Sequence, residues 1–149
     1  MNKNSYNIYL NSEVNCLKVL NGSKNSEFVF ELPALLVNDR SKLSVMSLAH
    51  QGTGHGDNII TFKIKDIQIN NNSYYCNDGS YPTIMTATFN SNNSYYLGNE
   101  FLLLKQAINR ITLIVTDDIT NTTSGINTAL KFIIGLKIED AEYLLFIYQ

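Results

Sequence analysis

Leu130-Lys131-Phe132-Ile133-Ile134-Gly135-Leu136-Lys137-Ile138-Glu139-Asp140 decides the fold class of this chain. Leu130, Phe132, Ile134, Leu136 and Ile138 fall on one face. Lys131, Gly135, Lys137 and Glu139 fall on the other, and Glu139-Asp140 marks a tight turn. A period of two is the signature of a strand with one buried face.

The same period recurs outward from this stretch. Ile111, Leu113 and Val115 alternate with Thr112, Ile114 and Thr116, and Asp117-Asp118 ends that run. Met85, Ala87 and Phe89 alternate with Thr86 and Thr88. Ile60, Phe62 and Ile64 share a parity that shifts at Ile67 and Ile69, so a bulge or bend is expected near Lys65-Asp66. Leu43, Val45, Ser47 and Ala49 define one face of a further strand. Phe28, Phe30 and Leu32 define another, which Pro33 is expected to end. Tyr6, Ile8 and Leu10 open the chain, and Cys16 to Leu20 is a short strand before the Asn21-Gly22-Ser23 turn. Gly98 to Arg110 is ambiguous: Asn99 suits a helix cap with Phe101, Leu104 and Ile108 behind it, yet Phe101 to Leu104 also reads as a buried strand, which we favour.

These elements number eight to ten, with turn signals every eight to twelve residues. That spacing predicts an all-β antiparallel sandwich or barrel and no βα alternation. Our reading is a single jelly roll of about eight strands filling one domain, residues 1–149. A chain of this length buries a sufficient core without disulfide or metal.

Composition narrows the function classes. Apolar residues make up 44% and charged residues only 16%. Roughly 20 asparagines fill part of the gap and favour turns. Net charge is −2 and the basic residues are scattered, so nucleic acid is not an expected partner. Nothing resembles a secretory leader or a membrane span. Cys16 and Cys76 read as two thiols, although the spacing leaves pairing open. Asn21, Asn71, Asn92 and Asn121 begin glycosylation sequons, which we read as turn composition.

Catalysis needs a nucleophile, base or metal held in geometry, and candidates are few. His50, His55 and Asp57 surround the glycine-rich Gly52-Thr53-Gly54 and form a candidate ligand or zinc loop. The loop leads into a strand and lacks the lysine of a phosphate-binding loop, so a plain connection is the simpler reading. Asp117, Asp118, Glu139 and Asp140 would suit calcium if both pairs met at one end of the sandwich. Tyr74, Tyr75, Tyr95 and Tyr96 lie among amide residues, as sugar-stacking or packing aromatics do. No cofactor and no enzymatic activity are expected. Tyr143, Leu144, Leu145, Phe146, Ile147 and Tyr148 are apolar on both faces and form a candidate interface.

Several stretches resemble the single jelly-roll penton and minor capsid proteins of large nucleocytoplasmic double-stranded DNA viruses. Tyr6 to Asn11 is similar to their first strand, and Asn21-Gly22-Ser23 through Phe28-Val29-Phe30-Glu31-Leu32-Pro33 to their turn and aromatic strand. Lys42 to Leu48 resembles the next strand. Arg110 to Asp118 and Phe132 to Asp140 resemble the closing pair. The likeness is one of pattern in order along the chain, and the loop from His50 to Asp57 departs from it. It implies a structural virion protein made in the host cytoplasm. Its partners would be itself, as a pentamer or trimer, and other capsid proteins. The alternative is a carbohydrate- or receptor-binding jelly roll of the fibre-head or lectin kind.

Overall fold

The computed structural model describes residues 5–14, 16–21, 24–51, 59–70, 81–89, 94–117, 126–127 and 130–140. Twelve strands run through them: β1 (Ser5–Asn11), β2 (Cys16–Asn21), β3 (Lys24–Val37), β4 (Ser41–Gln51), β5 (Ile59–Ile64), β6 (Ile69–Asn70), β7 (Thr83–Phe89), β8 (Ser94–Gly98), β9 (Glu100–Leu103), β10 (Gln106–Thr116), β11 (Ile126–Asn127) and β12 (Lys131–Asp140). They form two antiparallel sheets. The first has the order β1-β12-β4-β9-β6, and the second β11-β3-β10-β5-β7-β8, with β2 also paired to β3.

Eight strands carry the topology. β5 pairs with β7, β4 with β9, β3 with β10 and β1 with β12. First therefore pairs with last, second with second-last, and so inward to the central hairpin. A ribbon paired in this way and wound into two sheets is a jelly roll. The sequence expectation of a single jelly roll of about eight strands holds, with β2, β6, β8 and β11 as additions to it.

The inner faces follow the predicted parities over most of the chain. Ile8 and Leu10, Phe28 and Phe30, Ile60, Phe62 and Ile64, Ile111, Leu113 and Val115, and Leu130 through Ile138 in alternation are all buried. Phe132 on the first sheet meets two rings of the second edge-on, Phe28 at 5.0 Å and Phe62 at 5.3 Å between centroids. Lys65–Gln68 is the expected bend, where the chain leaves β5 in one sheet for β6 in the other.

Two expectations need correction, and one open alternative is decided. Pro33 does not end its strand. The register pairs Glu31 with Arg110 and Leu35 with Ile108, so Leu32, Pro33 and Ala34 bulge against Asn109 alone. A bulge needs no ladder donor from the proline, and both strands change parity across it, so that Val37 on β3 and Ile108 on β10 are buried. A second bulge lies in β4, where Val45 pairs with Leu136 and Ser47 with Gly135, leaving Met46 unmatched. Ser47 and Ala49 consequently face outward, while Leu48 packs on the core. The favoured strand reading of Phe101 to Leu104 holds as β9, and Asn99 caps no helix. Its side-chain amide donates to the Thr83 carbonyl at 2.8 Å, and its backbone N–H to that of Ile84 at 2.9 Å, which fixes the crossing from β8 to β9.

The burial of β5 is two-sided. Thr61 and Lys63, on the outer parity, are as buried as Ile60 and Phe62. Thr112 and Thr116 beside them on β10 are buried as well. A strict inside–outside alternation therefore describes the flanks of the second sheet better than its centre.

Candidate functional site

A groove of about 410 Å³ opens at the end of the first sheet where β1 finishes, β4 finishes and β12 begins. The turn after β1 builds one wall. Asn11 starts it: its carbonyl accepts from the Val14 N–H at 3.3 Å, and its side-chain oxygen from the Glu13 N–H at 2.9 Å. Asparagine at the first turn position makes this local bond readily. Ser12, 1% exposed, ties the turn down. Its N–H donates to the Phe132 carbonyl and its hydroxyl accepts from the Phe132 N–H, each at 3.0 Å.

Register builds the other wall. Lys131 pairs with Gln51 and Phe132 with His50. The bulge at Met46 is what brings His50 to the parity of buried Phe132, so a backbone irregularity sets where the imidazole lies. The groove is lined on its outward-facing side by Asn11, Glu13, Ala49, Gln51, Lys131 and Ile133, while His50 and Phe132, which also border it, have the inward parity.

Its electrostatics follow from Glu13. The Lys18 ammonium donates to the Glu13 carboxylate at 2.5 Å. That bond, with the positive charges of Lys18 and Lys131, holds the carboxyl below its ordinary value against the opposing effect of desolvation. Glu13 is therefore a hydrogen-bond acceptor at neutral pH and no proton donor. Because its folded pKa is depressed, the pair contributes stability above the unfolded carboxyl range, and that contribution is lost as pH falls through the lowered value. The pair is solvent-accessible, so its contribution is below about 1 kcal/mol. Lys18→Met is expected to return the Glu13 titration midpoint upward to the ordinary glutamate range, which a carboxyl-carbon NMR titration measures directly.

The remaining sequence candidates separate. His55 and Asp57 of the proposed ligand loop lie outside the described residues, as do Tyr74, Tyr75, Cys76, Asp118 and the candidate interface Tyr143 to Tyr148. Among the described residues no three His, Cys, Asp or Glu side chains gather as metal ligands. The condition for a calcium site, that both acidic pairs meet at one end of the sandwich, is not met by Asp117 and Asp140. Asp140 sits where β12 meets Ser41, at the Val37–Gln106 end of the sandwich. Asp117 follows Thr116 at the other end of β10, on the order of 30 Å away. Asp140 instead accepts from the Asn38 amide at 2.8 Å and the Ser41 hydroxyl at 3.3 Å, which staples the β3–β4 turn. Glu139 pairs with Lys42 at 3.6 Å and Lys137 at 3.4 Å.

Cys16 is a free thiol that donates to the Ser12 carbonyl at 3.2 Å. Burial pushes its pKa up, which disfavours the reactive thiolate. Tyr95 and Tyr96 do stand in solvent, on β8. Among the described residues no helix is long and apolar enough to cross a membrane.

Sequence reasoning missed Glu13, Lys131, Asn11 and Gln51 as neighbours of His50. Only the register of β1 and β4 on β12 unites them. Chemically the groove offers an anchored carboxylate, an ammonium and two amides, a set suited to hydroxyl-rich or zwitterionic ligands. No protein-family model, curated protein or solved structure matches the chain.

Proposed function

We propose that this chain is a structural virion protein, a penton or minor capsid component, acting by self-association and by contacts to a major capsid protein. The observation that carries the reading is the jelly roll itself. Its first-with-last pairing extends through all eight strands of the roll in the order the capsid resemblance implies. Two features support it further. The space between the sheets is filled by side chains such as Phe28, Phe62, Phe101 and Phe132. Large apolar residues stand exposed on both rims of the second sheet, Leu17 and Val19 on β2 and Tyr95 and Leu97 on β8. Surface apolar groups gathered at sheet rims suit permanent contacts.

Sedimentation of the purified chain tests the reading. A closed homo-oligomer built on trimers or pentamers is expected at micromolar concentration. A monomer at every concentration up to about 100 µM, beyond the range of stable assemblies, rejects it.

The groove beside His50 favours a second reading, a carbohydrate- or receptor-binding module. A glycan array probed with the same sample separates the two. Binding by a monomer selects the module, and a blank array with an assembled particle selects the virion protein.

A further inference from the structure

We infer that β8 is a self-pairing edge: the strand Ser94–Gly98 docks antiparallel against β8 of a second copy of this chain, across a two-fold axis. The inference rests on the self-association reading and names one contact that would carry it.

β8 ends the second sheet, and among the described residues no strand pairs with its outer edge. Its side chains are unusually open for their chemistry. Tyr95 is 61% exposed, Tyr96 39% and Leu97 75%. Natural edges are commonly blunted by lysine, proline or a short bulged strand. β8 has none of the charge. Indeed residues 79–99 contain no charged side chain, although 16% of the chain is charged. All eleven Lys and Arg and all thirteen Asp and Glu lie elsewhere.

The edge is also held in place. An ideal Cβ on Gly98 would stand 3.0 Å from the Val45 Cβ, so the end of β8 lies against β4 in the facing sheet. Asn99 anchors the following residue to Thr83 and Ile84. Pairing onto such a strand orders little that is not already ordered.

The identity of the partner follows from charge and from sequence symmetry. A charge-free strand brought against its own copy meets no like-charge repulsion, and offers no attraction to a charged partner. An antiparallel pair centred on Tyr96 sets Tyr95 opposite Leu97 of the second copy, and Leu97 opposite its Tyr95. Both pairs lie on the outer face, the parity of Thr86 and Thr88, with which Leu97 and Tyr95 are in register. Aromatic–aliphatic cross-strand pairs are among the favourable ones. The contact is isologous, as two-fold interfaces are, and joins two second sheets into one. It is distinct from any ring contact, so it doubles whatever unit the ring supplies.

Sedimentation velocity of the full chain and of Leu97→Lys and Tyr95→Lys tests it. Circular dichroism and thermal melting establish that the variants fold, and the high exposure of both positions makes that the expected result. Leu97→Thr, which keeps strand propensity, serves if Leu97→Lys does not fold. Tyr9→Lys, on the opposite edge strand β1, is the control. The wild-type mass should be an even multiple of the protomer. It should halve in each β8 variant at concentrations where wild type and Tyr9→Lys remain paired, with the dissociation constant raised at least tenfold. A folded variant that keeps the wild-type mass overturns the inference and leaves the structural reading standing. So does a wild-type assembly with an odd number of protomers. A wild type that stays monomeric overturns both. Capture of another protein through β8, with no doubling of this chain, overturns the second copy as the occupant.

Discussion

Phe132→Ala is expected to lower the unfolding free energy by about 3–5 kcal/mol, the range for truncating a buried aromatic. Urea titration measures it. The position argues for the upper part of that range. Phe132 is 2% exposed and its ring bridges the two sheets, edge-on to Phe28 and Phe62. These contacts add about 0.5–1.5 kcal/mol per aromatic pair beyond area burial. The cavity would lie between two sheets, each fixed by its own ladder, and cannot readily collapse. A domain of this size has roughly 5–15 kcal/mol in total, so the loss would bring the fold near its threshold. Phe132→Leu retains most of the volume and should cost less than about half as much. Equal losses in the two variants would mean that ring packing at this point is not what joins the sheets.

Phe132 also shows what was legible in the sequence and what was not. Its burial followed from period-two spacing across Leu130 to Ile138, because β12 is a central strand without irregularity of its own parity. β4 and β3 were legible only up to their bulges. The single unmatched Met46 inverts every later side chain of β4, the irregularity at Leu32 to Ala34 changes parity in β3, and nothing in Leu43 to His50 or in Leu32 to Leu35 announces either offset. Pro33 drew attention to the right place for the wrong reason, since proline is tolerated both at a strand end and at a bulge. Asn99 was a polar residue at a boundary, and local sequence could not separate a helix cap from a tie to a distant carbonyl.

The candidate site was less legible than the fold. In the sequence His50 stands out only by its proximity to His55 and Asp57. The structure gives it Glu13 and Lys131 as groove neighbours through strand register, at separations no motif encodes. The edge strand was the opposite case. Tyr95 and Tyr96 stood out as aromatics among amides, and the absence of charge over residues 79–99 is readable directly. What the sequence could not supply was that β8 is the last strand of its sheet.

Ser12→Ala is the second substitution with a large expected effect, about 1–3 kcal/mol, from loss of a single oxygen. The register of β1 on β12 ends at Asn11 opposite Ile133, and Ser12 continues it by other means. Its N–H reaches the Phe132 carbonyl, as a ladder bond would. The returning bond comes from its hydroxyl, which accepts from the Phe132 N–H in a buried setting. Alanine keeps the first bond and removes the second, leaving a buried donor with no acceptor, which costs more than a hydrogen bond contributes on average. The damage should be local as well as global. In amide hydrogen exchange, Phe132 should lose more protection than Ile134, two residues inward on the same strand. Ser12→Cys, with a thiol in place of the hydroxyl, should recover only part of the loss, because sulfur is a weak acceptor. If Ser12→Ala instead lowered protection evenly along β12, the hydroxyl would be one packing contact among many. If Phe132 alone opened, the turn carrying Glu13 would be shown to hang on this serine, and the shape of the groove with it.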